Sequence, residues 1–131
     1  EAWTRRLTMK DDPAMLFSGV QVNTSRFWIV ENDTTYLGAI ELRHVLTPVM
    51  FEAVGHIGYS IRPTARSRGI ATWALKTILP HARSIGLTRA LLTCDEQNLP
   101  SARTIEKNGG VLEDIRSTEL GVKRRYWIDL P

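Results

Sequence analysis

Ile61-Arg62-Pro63-Thr64-Ala65-Arg66-Ser67-Arg68-Gly69-Ile70-Ala71-Thr72 joins two stretches of chain that obey different periods. Before it, His56 to Ile61 reads as a strand that stops ahead of Pro63, because the residue preceding a proline is pushed out of the helical region. After it, Ala71, Ala74, Leu75, Ile78, Ala82 and Ile85 recur at steps of three and four, the mark of one buried helix face. Gly86 suits the helix stop, whereas Pro80 removes a backbone donor and predicts a bend or an early end. A strand-to-helix turn leaves the first helical amides without internal partners at the positive end of the helix dipole, so it suits an anion. Gly69 and Ala71 are small enough for a pyrophosphate to approach the backbone, and Arg66 and Arg68 add charge at the rim.

Working outward, Phe27 to Val30 within Arg26–Glu31 reads as a strand, Asn32-Asp33 as a turn and Tyr36 to Arg43 as the second arm of a hairpin. His44 to Gly55, with Pro48, reads as a loop. Downstream, Arg89 to Cys94 is a short apolar strand covered on both faces. Asn98 caps a second helix, Pro100 sits in its first turn, Leu99, Ala102 and Ile105 form its apolar stripe, and Gly109-Gly110 ends it. Val111 to Ile115 and Val122 to Leu130 alternate as a closing hairpin, with Tyr126, Ile128 and Leu130 on one face. The order predicts an α/β (α+β) domain with a mixed, mostly antiparallel central sheet, a strand–helix–parallel-strand crossover at its centre and flanking helices.

Composition narrows the classes of function. At 131 residues the chain fits one domain, 1–131, whose first 25 residues are atypical or shortened. No stretch approaches the roughly 18 apolar residues of a membrane span, and no secretory signal is visible, so a cytoplasmic address and no membrane partner are expected. Cys94 is the one cysteine and the three histidines are scattered, which predicts neither a disulfide nor a metal site. A net charge of +3 falls short of a nucleic-acid signature, and no nucleic-acid partner is expected. The second basic cluster, Lys123 to Arg125, reads as a solvated surface.

Alone, Arg-x-x-Gly-x-Ala is weak, since residue usage predicts a chance match in roughly one chain in ten of this length. The segment is no Walker loop, having no Gly-Lys-Ser/Thr, and it lacks the three glycines of dinucleotide-binding folds. Arg66 to Ala71, together with Asn98, Ser101, Lys107 and Gly109, resembles the GNAT superfamily of acyl-CoA-dependent N-acyltransferases. The resemblance spans about Arg26 to Leu130 and is similar to a little-described branch sharing segments like Gly55-His56-Ile57-Gly58-Tyr59 and Arg125-Tyr126-Trp127-Ile128.

That resemblance implies acetyl-CoA as cosubstrate and transfer of an acetyl group to a primary amine of a small molecule or protein, by a monomer or homodimer. The alternative is a non-catalytic acyl-CoA-binding or regulatory module. It implies that backbone groups from Tyr59 to Ile61 pair with the pantetheine arm. The amides of Arg68, Gly69, Ile70, Ala71 and Thr72 would hold the pyrophosphate, with Arg66 at the rim. Asn98 and Ser101 would reach the pantetheine, although Asn98 also reads as a plain helix cap.

Many relatives place an acidic Tyr where this chain has Ile105. Either another group, such as Tyr126 or water, then protonates the leaving sulfur, or the chain does less chemistry than its fold suggests; Tyr126 also reads as a core aromatic. His56 suits a base or a satisfied structural histidine. Glu41 and Glu52 suit a proton acceptor or a site for a cationic amine, and Cys94 reads as a small buried residue. Relatives carry a strand and two helices before the Arg26 strand; here Trp3 to Leu7 reads as a remnant strand and Pro13 to Val20 as one short helix.

Overall fold

The computed structural model describes residues 5–9 and 24–131, so the segment Pro13 to Val20 lies outside the described residues. The elements run β1 Arg5–Met9, β2 Thr24–Glu31, β3 Thr35–Arg43, α1 Pro48–Ala53, β4 Ile57–Ile61, a 3-10 turn Pro63–Ala65, α2 Ile70–Ser84, β5 Arg89–Asp95, α3 Leu99–Lys107, β6 Val111–Thr118 and β7 Gly121–Asp129. Asn32 and Asp33, at φ 54° and 62°, supply the left-handed pair that a tight hairpin turn between β2 and β3 requires.

The strands form two antiparallel sheets, β1-β2-β3-β4 and β5-β7-β6, rather than one continuous mixed sheet. The β4–α2–β5 crossover is present, but among the described residues no parallel ladder joins its two strands. They touch at a single bridge, Gly55 to Leu92, reinforced by His56 N–H donating to Leu91 O at 2.7 Å. Gly55 stands at φ 82°, and a Cβ there would lie 2.5 Å from the Leu91 carbonyl, so the joint needs both the left-handed backbone and the missing side chain. Beyond it the strands part, and Ile57, Gly58 and Tyr59 face Thr93, Cys94 and Asp95 across a cleft. The core fills one face of the joined sheets: Ile70, Ala74, Leu75, Ile78 and Ala82 of α2 pack into a single cluster with Ile29, Ile40, Leu42, Ile57, Leu92 and Ile105.

Several expectations change. Pro48–Ala53 is helix α1 rather than loop, because the Thr47 hydroxyl accepts from Met50 N–H and Pro48 fits the first turn. Its last carbonyls are held from outside: the fully buried Arg125 donates to Phe51 O at 3.0 Å and Glu52 O at 3.1 Å and also binds Glu113. Helix α2 runs on through Pro80 to Ser84 instead of ending early. Ile70 takes the buried position expected of Ala71, which lies on the groove side. Leu99 is exposed, leaving Ala102 and Ile105 as the buried stripe of α3.

Candidate active site

Two recesses meet where the sheets part. A groove of about 760 Å³ runs from the 3-10 turn over the start of α2 to α3, and its walls include Tyr59, Ile61, Arg66, Gly69, Ile70, Ala71, Thr72, Asn98 and Ser101. A cleft of about 340 Å³ on the other side of the splay is walled by Arg43, Gly58, Tyr59, Cys94, Asp95, Asn98, Ser101 and Lys123. Tyr59, Asn98 and Ser101 belong to both walls.

Each part of the groove follows from local chemistry. Gly69 caps α2 at φ 74° with no side-chain cap, and a Cβ added there would meet nothing within 4 Å. Trp73 is the first residue of the helix whose amide reaches back, to Gly69 O at 3.0 Å, so the amides of Ile70, Ala71 and Thr72 precede the hydrogen-bond ladder and open on the groove. Along β4, the His56 carbonyl and the Arg62 amide bond to β3, and antiparallel alternation turns the backbone groups of Ile57, Tyr59 and Ile61 to the opposite, open edge. Ile61 O on that edge accepts from Arg66 Nε at 3.0 Å.

Electrostatics favour a polyanion. Arg66, Arg103 and Lys107 line the groove, and none of its lining residues is acidic. Arg103 and Lys107, one helical turn apart on the polar face of α3, extend the basic wall beyond the turn; Arg103 had no motif to signal it, only its i, i+4 relation to Lys107. Arg68 does not join them. Its guanidinium makes two bonds, 3.0 and 2.9 Å, to the buried Glu31 carboxylate, so its side chain braces α2 against β2 rather than serving the rim.

The expected proton-transfer residues divide sharply. The Tyr126 side chain is buried, donates to Glu106 Oε2 at 2.8 Å and lines neither recess. His56 is likewise structural: its Nδ1 accepts from Leu91 N–H at 2.9 Å, and burial followed by the nearby Arg43 charge holds its pKa below the ordinary value. Glu41 lies between Arg26 at 3.0 Å and Arg43 at 3.6 Å and lines neither recess. Glu52 is held by Arg116. Asn98 Oδ1 accepts from Ser101 N–H at 3.3 Å, the helix-cap role, while its residue borders both recesses. Burial pushes the Cys94 thiol up in pKa, which disfavours a nucleophilic thiolate.

Ile105 is fully buried in the core, so nothing from that position enters the site. The phenol that does border both recesses is Tyr59. Its hydroxyl shares a 2.8 Å hydrogen bond with Ser101 Oγ, and burial outweighs that bond to raise its pKa, keeping the phenol protonated.

Uncapped helix-start amides, an open strand edge and a second cleft beyond it thus lie together where the sheets part. The chain belongs to the GNAT acetyltransferase family, whose model, described as Acetyltransferase (GNAT) domain, matches residues 2–111. Its cosubstrate is acetyl-CoA, which the basic groove and open cradle fit.

No sequence among the curated proteins matches. Similar solved structures include spermidine N-acetyltransferase from Vibrio cholerae in complex with CoA and spermine, at 17% identity and a TM-score of 0.68, covering 82% of this chain and 66% of that one. Ribosomal-protein-S5-alanine acetyltransferase from Vibrio fischeri matches at 18% identity and a TM-score of 0.68, covering 82% of this chain and 62% of that one. Spermidine/spermine N-acetyltransferase SpeG from Vibrio cholerae with manganese ions matches over 98% of this chain and 92% of that one, at 14% identity and a TM-score of 0.69. At such identities the likeness carries the fold and not the acceptor. In the first two comparisons this chain spans about two thirds of its neighbour's length or slightly less.

Proposed function

We propose that the protein acetylates a primary amine, with the cosubstrate in the groove and the acceptor in the cleft. The observation that carries this reading is the wall shared by the two recesses: an acetyl group brought along β4 to Tyr59, Asn98 and Ser101 meets whatever occupies the cleft. Acetyl-CoA supplies an activated carbonyl, to which the amine nitrogen bonds as the carbon–sulfur bond breaks.

The residues divide the work. Amides of Ile70 to Thr72 hold the diphosphate, and Arg66, Arg103 and Lys107 screen its charge. The open edge of Ile57, Tyr59 and Ile61 takes the pantetheine amides as an added strand. The Ile61 carbonyl exchanges Arg66 for that arm. Tyr59 donates its proton to the departing thiolate and recovers one through Ser101, while the Tyr126 hydroxyl donates to Glu106. The proton lost by the acceptor nitrogen leaves through the open cleft to water.

A thiol-release assay tests this across an amine panel that includes spermidine and a peptide with an N-terminal alanine. Turnover of at least one amine is expected, with Tyr59→Phe lowering kcat about a hundredfold while the stabilisation by acetyl-CoA persists. Binding of acetyl-CoA with no thiol released above background by any amine would contradict a transferase role.

A further inference from the structure

The turn that leads into α2 rests on a backbone that one of its residues resists. Between the 3-10 turn and the helix the chain passes through two left-handed residues, Ser67 at φ 63° and Gly69 at φ 74°, with Arg68 between them. Gly69 adopts that conformation freely. Ser67 does not, because its Cβ crowds the following carbonyl oxygen, a bias of roughly five- to thirtyfold against the left-handed form. Burial does not hold it there either: Ala65 and Ile70 are buried, whereas Arg66, Ser67, Arg68 and Gly69 between them are exposed.

Two side-chain ties reach this turn. Arg66 holds Ile61 O from the groove side, at the carbonyl that the pantetheine arm claims in the reading above. Arg68 is tied from behind. Its Nη2 donates to both carboxylate oxygens of Glu31, at 3.0 and 2.9 Å, and neither residue lines the groove or the cleft. Glu31 is a firm anchor: it ends β2, which pairs with β1 on one side and β3 on the other, and its side chain is only 4% exposed. A carboxylate buried that deeply is costly to leave without a cation, so the pair fixes where Arg68 lies. With Arg68 drawn to β2, its neighbours Ser67 and Gly69 stand on the groove wall.

We infer that Glu31, acting through Arg68, is a positioning residue for the diphosphate. The ion pair offsets the strain at Ser67 and so keeps the Ile70 to Thr72 amides open on the groove before the cosubstrate arrives. This rests on the reading above that seats the diphosphate at those amides. Affinity for the cosubstrate then depends on two side chains that face away from it.

The test is calorimetric titration of CoA into the wild type and its variants at a temperature where each is folded, so that affinity is read without an acceptor. Arg68→Gln and Glu31→Gln should each weaken CoA binding about tenfold. The double variant should bind no more weakly than either single one, because each change alone already breaks the pair. Both side chains have further partners, so this non-additivity is what isolates their mutual bond. Arg68→Lys, which keeps one cationic donor, should lose less than Arg68→Gln.

Ser67→Gly separates positioning from general stabilisation, since it removes the strain without restoring the ion pair. It should improve CoA affinity at least about threefold more in Arg68→Gln than in the wild type. If Arg68→Gln strands the Glu31 charge and does not fold, the double variant, which buries no lone charge, carries the same predicted loss and the same rescue. Losses below about twofold, additive losses in the double variant, Arg68→Lys no better than Arg68→Gln, or a gain from Ser67→Gly that is equal in wild type and variant would each overturn the inference. Failure of the wild type to bind CoA would instead sink the reading of the groove.

Discussion

Gly69 concentrates the residue-scale argument. Its φ of 74° disfavours any side chain, yet a Cβ there meets nothing within 4 Å, so the cost of substitution is backbone strain of about 1–2 kcal/mol rather than a clash. Gly69→Glu should therefore fold with a slightly lower Tm but give no stabilisation by acetyl-CoA, because its carboxylate enters the groove; Gly69→Asn, better suited to the left-handed region, should keep most of it. Differential scanning fluorimetry separates the two outcomes. Gly69 and Ala71 were legible in the sequence because the need for small residues at a helix start is local. Tyr59 as a hydroxyl donor was not: only its backbone was implicated, since its bond to Ser101 spans 42 residues of sequence. Arg68 misled for the same reason, its partner Glu31 being 37 residues away.

At the scale of elements, the joint between the sheets has a titratable pin. His56 Nδ1 can accept from Leu91 N–H only when unprotonated, and its folded pKa lies below the ordinary 6.5. Between the folded and ordinary values the unfolded chain binds more protons than the folded one. The stabilisation is thus complete above pH 6.5 and declines as pH falls through that window. His44, also lowered, acts in the same direction. In His56→Asn, whose amide oxygen accepts without titrating, the loss of stability between pH 7.5 and pH 5 should be smaller than in wild type but not zero, as urea unfolding at the two pH values would show.

The short helix α1 depends on a distant tie of another kind. Arg125→Met removes the donors that hold the Phe51 and Glu52 carbonyls and should destabilise the fold by about 1.5–3 kcal/mol, measurable by the same unfolding experiment. Periodicity found the strands of β2, β3, β5 and β7 and the long helix because these signals lie within single segments. It missed α1, and it predicted a parallel ladder where the strands part, because cross-chain ties at Arg125 and the Gly55–Leu92 bridge decide both.

For the molecule as a whole, the gap between the two antiparallel sheets leaves the facing edges of β4 and β5 without a ladder partner among the described residues and brings two recesses to a common wall. Binding confined to the folded state must stabilise it, by about 2.7 kcal/mol at a cosubstrate concentration a hundred times Kd. A solved structure with acetyl-CoA bound tests the central claim most directly. The account predicts diphosphate oxygens within hydrogen-bonding distance of the Ile70 to Thr72 amides and a pantetheine arm paired along Ile57, Tyr59 and Ile61, its sulfur beside the Tyr59 hydroxyl. A diphosphate seated away from Gly69, or a thioester directed elsewhere than the wall shared with the cleft, would contradict it.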